Sequence, residues 1–146
     1  MRITRHADYA LHCLLRLAAG PSGGYSMPAI ARACGIPRGF LAKILQRLAR
    51  AGLVIASRGV HGGYRLSRDP RRISLLEALR GAGWTSAMGH CFGKPGGCPR
   101  RRACALRPVW LGIMRDAELK LERLSLSDLA SGKKPVRRII LRRTHR

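Results

Sequence analysis

Three cysteines lie close together in a basic stretch near the middle of the chain, HCFGKPGGCPRRRAC at residues 90–104. Six residues separate Cys91 from Cys98 and five separate Cys98 from Cys104, unlike the paired Cys-x2-Cys of zinc ribbons and redox sites. Thiolates spread along a glycine-rich loop can surround a centre larger than a single metal ion. The pattern therefore favours an iron–sulfur cluster, while zinc binding, metal-free redox thiols and an incidental role are open alternatives.

Three thiolates leave such a cluster one ligand short, so an oxygen or nitrogen donor from elsewhere is expected to complete it. The arginines at 100–102 would offset the negative charge of a thiolate-bound cluster. The other two cysteines, Cys13 and Cys34, fall within apolar helical patterns. They are expected to be buried as small apolar residues.

The composition points to a polyanionic partner. The chain has 29 Lys and Arg residues against 7 Asp and Glu, a formal net charge of +22 over 146 residues, which favours nucleic acid. It contains no nucleophile–base arrangement and no phosphate-cradling glycine motif, so an enzyme is not expected. It also lacks an apolar run of about 18 residues and a signal-peptide pattern, so we expect a cytoplasmic protein without membrane partners. A sequence-independent nucleic-acid-binding protein is the alternative that the charge suggests.

The N-terminal half predicts three helices followed by a β-hairpin. The helices are expected at about residues 4–19, at 27–34 and at 37–52, with glycines at the ends of the second and third. Two strands, 53–57 and 64–66, flank a glycine-rich tip. Two helices joined by a glycine turn and followed by a hairpin predict a winged helix-turn-helix.

The third helix is the predicted recognition helix, whose N-terminal residues would meet base edges in the major groove. Arg38 is the best candidate for a guanine contact, because its planar guanidinium matches two acceptors at once. Other arginines are assigned to phosphates, and the hairpin tip to a minor groove. The predicted DNA contacts are Ser26, Met27, Arg38, Gly39, Phe40, Lys43, Arg47, Arg50, Arg58, His61 and Arg65. A solvated basic face is the alternative.

The C-terminal half predicts a short helix at 73–80, a long helix at 105–124 and a last short turn at 125–130. The long helix carries an apolar face that is expected to pack against a second subunit. That face consists of Leu106, Val109, Trp110, Ile113, Ala117 and Leu121.

The expected fold class is mainly α with a small β-hairpin, a winged helix-turn-helix followed by a long C-terminal dimerisation helix. We predict a DNA-binding domain at 1–82 and a cysteine-rich cluster-binding loop at 83–104. The dimerisation helix and the short terminal helix take up 105–130. The basic tail at 131–146 is expected to be disordered.

The order of these parts resembles the Rrf2 family of bacterial winged-helix regulators. The resemblance covers about residues 1–132 and rests on MRITRHADYAL, GIPRGFLAKILQRLARAGLVIASRGVHGGYRL, the three-cysteine loop and the long helix after it. It implies a homodimeric transcriptional regulator that binds palindromic promoter DNA and is expected to act as a repressor. A cluster, 4Fe–4S in preference to 2Fe–2S, would set the DNA affinity in response to nitric oxide, redox state or iron. A cluster-free repressor that uses zinc or thiols is the alternative.

The resemblance also implies where a fourth ligand would lie. IscR-like members keep a histidine three residues after the last cysteine, but Arg107 stands there and cannot bind a metal. NsrR-like members can use an aspartate in the first helix of the partner subunit, and Asp8 stands at the matching place, so the NsrR-like arrangement is favoured. His12 and His90 are weaker candidates. Alternatively, Asp8 and His12 form a surface pair that supports the helix.

Overall fold

The computed structural model describes residues 3–57, 62–85, 98 and 103–132. The predictions for Arg58, His61, His90 and Cys91 concern residues outside these ranges, as do those for nearly all of the basic tail. The described residues form six α-helices, one two-stranded antiparallel sheet and a short 3₁₀ turn. In chain order they are α1 (Arg5–Ala18), α2 (Met27–Cys34), α3 (Arg38–Arg50), β1 (Val54–Ser57), β2 (Gly63–Leu66), the 3₁₀ turn (Pro70–Arg72), α4 (Leu75–Gly81), α5 (Leu106–Glu122) and α6 (Leu126–Ala130).

Local sequence signals define the first two helices. The hydroxyl of Thr4 accepts a hydrogen bond from the Ala7 N–H at 3.2 Å and begins α1. Ser26 caps α2 in the same way, through the Ala29 N–H at 3.4 Å. The second helix ends at Gly35, whose φ of 63° is the left-handed conformation that glycine tolerates. The predicted helix-turn-helix is therefore present with nearly the predicted bounds.

The hairpin packs directly on the loop before α2. Val54 pairs with Leu66 and Ser57 with Gly63 in an antiparallel register. Tyr25 and Tyr64 extend the ladder by exchanging backbone hydrogen bonds of 3.0 and 2.8 Å. A Cβ at Gly63 would lie 2.7 Å from the Tyr25 carbonyl oxygen, so only glycine allows this approach.

The core lies between α1, α2, α3, α4 and α6. Its largest fully buried members include Leu14, Ile30, Leu41, Leu48 and Leu126. Four apolar residues of α3 recur at helical spacing and are buried in this core, as the sequence predicts: Leu41, Ile44, Leu45 and Leu48. Fold class is thus as expected, mainly helical with one small antiparallel hairpin.

In the long helix α5, only part of the predicted dimerisation face is exposed. None of its residues is buried, and Leu106 and Ile113 are 62% and 45% exposed. Ala117 and Leu121, which the sequence places on the same face, are instead half-buried, and Leu121 packs against the core of its own chain. The predicted single face therefore divides into an exposed N-terminal part and a C-terminal part that joins the domain.

Candidate nucleic-acid interface and cysteine site

The outer side of α3 is a basic surface. The buried side of this helix faces the core, which leaves Arg38, Lys43, Arg47 and Arg50 exposed. Gly39 is also exposed, and a Cβ at this position would meet nothing within 4 Å. The N-terminal turn of α3 is therefore open to an approaching partner.

The guanidinium of Arg47 is held in place by the end of α4. Its Nε–H donates a hydrogen bond to the Gly81 carbonyl oxygen at 3.3 Å. A Cβ at Gly83, where φ is 87°, would lie 2.1 Å from Arg47 Nη2, so the guanidinium lies directly against the Gly83 backbone. This fixed position reduces the entropy that Arg47 would lose on binding a phosphate.

Phe40, in the first turn of α3, contacts α1. Its ring meets the rings of His6 and Tyr9 edge to face, with centroid distances of 5.7 Å in both pairs. Phe40 is still 37% exposed, so one edge of the ring is available to a partner. Sequence analysis placed Phe40 in the DNA interface but did not identify its contacts with α1. The only sequence signal for them is the aromatic character of positions 6 and 9 in the N-terminal turns of α1.

The remaining predicted DNA contacts have different surroundings. Ser26 is exposed and caps α2, whereas Met27 is half-buried and packs against the core. Arg65 is exposed on β2, opposite Ile55 of β1. The hairpin therefore carries an exposed cation on its second strand.

Two of the three loop cysteines can be located. Cys98 and Cys104 are free thiols, and each is half-buried. Cys104 lies two residues before α5, and its carbonyl oxygen accepts a hydrogen bond from the Arg107 N–H at 3.2 Å. Among the residues that the structure describes, no three His, Cys, Asp or Glu side chains form a group that could hold a metal ion.

Asp8 and His12 form the surface pair that the sequence offers as an alternative to metal binding. His12 Nε2 and Asp8 Oδ1 are 3.7 Å apart, and both side chains are more than half exposed. They line a groove of about 470 Å³ between α1, the end of α2 and α6. Because both side chains are exposed, this pairing contributes little to stability and leaves the carboxylate accessible.

Cys13 and Cys34 are neighbours on α1 and α2. Cys13 is fully buried and Cys34 is half-buried, so the expected burial is confirmed for the first and only partly for the second. Burial, together with the adjacent Cys34, raises the pKa of the Cys13 thiol to about 12. Cys13 is therefore a core residue and not a thiolate donor.

Polar contacts join α5 to α4. Arg80 Nη2 lies 3.2 Å from Glu118 Oε2, and the Ser74 hydroxyl donates a hydrogen bond to Glu122 Oε2 at 3.1 Å. The backbones also pair at this point, because Ser74 and Ser125 form an antiparallel bridge. Sequence analysis did not identify Arg80 as a functional residue. In the sequence, Arg80 is indistinguishable from any other exposed cation on an amphipathic helix.

Comparison with known proteins supports a regulatory role. The model of the Rrf2 family, described as iron-dependent transcriptional regulator, matches residues 3–132. Protein aau3 of Rhizobium meliloti (strain 1021) is 41% identical over 108 residues, which covers 73% of this chain and 70% of that protein.

Solved structures share the fold, among them the following two. CymR (YrzC), the global cysteine regulator of B. subtilis, matches with a TM-score of 0.73 and 26% identity over 92% of this chain and 99% of that chain. IscR of T. potens has the same TM-score of 0.73 at 24% identity, covering 92% of this chain and 89% of that chain. In the described part of this chain, no helix is long and apolar enough to cross a membrane.

Proposed function

We propose that this chain, which belongs to the Rrf2 family of transcriptional regulators, represses transcription under the control of an iron–sulfur cluster. The observation that carries the proposal is the contact of Phe40 with His6 and Tyr9. These two rings lie on either side of Asp8 along α1, and Phe40 lies in the first turn of the recognition helix. The helix α1 therefore connects the candidate metal ligand Asp8 to the recognition helix α3.

The basic side of α3 supports the proposed mode of DNA binding. Arg38, Gly39 and Lys43 lie at its exposed N-terminal end, where a recognition helix meets base edges. Arg47 and Arg50 lie further along the helix and suit backbone phosphates, which set the register of the protein on the duplex. Arg65 on β2 adds a further exposed cation to the DNA-binding domain.

The donors available for a cluster fit its chemistry. Cys98 and Cys104 are free and half-buried, which suits thiolate ligands, and the Asp8 carboxylate is exposed enough to be reached from outside its own chain. We propose that Cys91, Cys98 and Cys104 of one subunit and Asp8 of the other hold the cluster, with His12 as the weaker candidate. When bound, a cluster supplies reactivity toward nitric oxide and oxygen and a dependence on iron.

The residues of the chain then transmit the change. His6, Asp8 and Tyr9 lie within about one turn of α1, so a force on the Asp8 carboxylate would tilt the rings that contact Phe40. A tilt of α3 changes the separation of the two recognition helices of a dimer. Because successive major grooves are about 34 Å apart, a small change in that separation weakens binding to both half-sites at once.

The exposed part of α5 supports a homodimer. Leu106, Val109, Trp110 and Ile113 form an apolar strip at helical spacing on the N-terminal part of the helix. A strip of this kind on a single chain marks an interface. A second copy of the same helix would cover it and place the two recognition helices symmetrically.

Anaerobic reconstitution with iron and sulfide tests the proposal. We expect visible absorbance from the wild type, loss of it in the variant with serine at Cys91, Cys98 and Cys104, and a change in operator affinity after nitric oxide. Operators would be selected by the wild type from random duplexes. Asp8→Asn should abolish the response to nitric oxide, whereas the matched variant Asp116→Asn, an exposed acid on α5, should keep it.

Three results would contradict the proposal. A colourless protein that contains zinc would favour a cluster-free repressor. Operator affinity that does not change after nitric oxide, oxygen or iron removal would exclude sensing. Selection that returns no preferred duplex would indicate a sequence-independent nucleic-acid-binding protein, whose affinity should fall steeply with salt for every duplex alike.

A further inference from the structure

A second basic feature lies beside the recognition helix, in the groove between α3 and the end of α4. The groove has a volume of about 580 Å³. Its walls include Lys43, Gln46, Arg47, Arg50, Arg80 and Gly81. The first four lie at consecutive turns on the exposed side of α3, and the last two close the groove from α4.

Four of these side chains carry a permanent positive charge, and no acidic residue is found among the described residues that line the groove. Like charges held together repel one another, and a bound anion relieves that repulsion. Arg47 is already fixed there by the Gly81 carbonyl group and the Gly83 backbone. The groove therefore has both the charge and a preorganised guanidinium for a phosphate group.

The position of the groove favours DNA as the source of that phosphate. Lys43 and Arg47 belong both to the groove and to the basic surface of α3. A duplex seated on the N-terminal end of α3 must continue past one side of the helix, where its backbone would meet these cations. The groove is also open toward that surface, because all its charged side chains are exposed.

Arg80 gives the groove a connection to α5. Its guanidinium pairs with Glu118 at 3.2 Å, and the Arg80 side chain is 58% exposed while that of Glu118 is 29% exposed. An exposed guanidinium can turn toward a phosphate, whereas the more buried carboxylate is held on α5. Arg80 can thus exchange a carboxylate partner for a phosphate partner.

We infer that this groove binds a backbone phosphate of double-stranded DNA next to the recognition site, and that the phosphate competes with Glu118 for Arg80. The inference rests on the proposed DNA-binding function and adds a contact and its regulation. DNA binding would weaken one link between α4 and α5. Conversely, a firm Arg80–Glu118 pair would lower DNA affinity.

The salt dependence of DNA binding by the full-length protein tests the inference. Each phosphate contact contributes about 0.9 to the slope of log affinity against log salt, so Arg80→Gln should reduce the slope by about 1 per subunit. Its affinity should fall about tenfold, equally for operator and unrelated duplexes, because phosphates carry no sequence information. The matched control is Arg72→Gln, which removes an exposed charge from the 3₁₀ turn, outside the groove.

The competition with Glu118 is tested by a double-mutant cycle. Glu118→Gln should raise DNA affinity several-fold, and it should have no effect when Arg80 is already glutamine. Glu122→Gln removes the same charge one turn along α5, from a carboxylate that binds Ser74, and serves as the control. Equal effects of Glu118→Gln and Glu122→Gln in both backgrounds would refute the competition. Thermal unfolding checks that each variant keeps its fold.

A last measurement separates DNA from a free phosphorylated ligand. Pyrophosphate is titrated into the wild type and into Arg80→Gln without DNA, by calorimetry. Tight binding that Arg80→Gln abolishes, with an unchanged slope for DNA, would assign the groove to a free phosphate ligand and overturn the inference. Failure of the proposed function is distinguishable, because sequence preference and its loss in Arg38→Ala do not depend on Arg80.

Discussion

The contact of Phe40 with Tyr9 should carry a measurable coupling energy between the recognition helix and α1. The two rings meet edge to face, with an interplanar angle of 83° and centroids 5.7 Å apart. Pairs of this geometry contribute about 0.5–1.5 kcal/mol beyond the burial of their area. Phe40 has a second such partner in His6, so Phe40→Leu should lower the free energy of unfolding by about 1–3 kcal/mol, whereas Tyr9→Leu removes only one pair.

A double-mutant cycle on Tyr9 and Phe40 isolates the shared pair. Urea unfolding is measured for the wild type, both leucine variants and the double variant, at one protomer concentration so that assembly does not alter the comparison. We expect a coupling energy of about 0.5–1.5 kcal/mol. The control cycle combines Phe40→Leu with Leu15→Ala, six residues further along α1 and about 9 Å away, where additivity is expected.

The same variants test whether the contact transmits a signal. With cluster absorbance retained, Phe40→Leu should reduce the change in operator affinity that nitric oxide produces in the wild type. A coupling energy no larger than that of the Leu15 control would refute the energetic connection. A full response in Phe40→Leu would show that the signal takes another route.

Three further outcomes are expected. Because the pKa of Cys13 is raised to about 12 from 9.0, alkylation of the native protein at pH 8 should be roughly a thousandfold slower at Cys13 than at an ordinary thiol. Any stability due to the protonated Cys13 thiol should decline as pH rises above 9. Rapid labelling of Cys13 detected by mass spectrometry would contradict its burial. Ser125→Ala should cost about 0.5–2 kcal/mol in urea unfolding, since Ser125 and Asp128 form a capping box. The hydrogen bonds of Ser125 lower the pKa of Asp128, so this loss should shrink as pH falls through that pKa, and a pH-independent loss would contradict the assignment. Ile113→Glu should give a monomer by sedimentation, unlike Arg115→Glu on the same helix, and an unchanged dimer would exclude this face.

The helix-turn-helix could be predicted from sequence because its signals are local. Ser26, Gly35 and the spacing of Leu41, Ile44 and Leu48 each act within one turn of the helix that they define. These signals predicted α2 with its observed bounds, Met27–Cys34. Nothing beyond neighbouring residues was needed.

Long-range packing was not predictable in the same way. Trp84 falls in a glycine-rich stretch that predicts a loop, yet its side chain is buried. Its backbone N–H donates a hydrogen bond to the Leu79 carbonyl oxygen at 2.9 Å. The apolar residues of α5 share one predicted face, but only the part that includes Leu121 packs against the core of the chain, where α5 meets α4. A sequence shows which residues are apolar, and the tertiary contacts decide which of them are covered by their own chain.

The candidate site shows the same division. The basic side of α3 follows from its helical period, because the apolar residues fix which side faces out. The contact of Phe40 with Tyr9 joins residues 31 positions apart in the sequence, and that of Arg80 with Glu118 joins residues 38 apart. Such pairs depend on how helices cross, which no local pattern specifies. The contacts that could couple the sites, and Arg80 itself, were therefore what sequence analysis missed, although it had already assigned Phe40 to the DNA interface.

The attachment of α5 explains why assembly and DNA binding should depend on each other. Its C-terminal half is fixed to α4 by Glu118, Glu122 and the backbone bridge of Ser74 with Ser125, while its N-terminal half presents the apolar strip. The end of α4 also positions the Arg47 guanidinium on α3. A second copy that covers the strip would thus be linked through α5 and α4 to the DNA-reading helix. Because these links are polar contacts at the protein surface, they can be exchanged at small energetic cost, as a regulated connection requires.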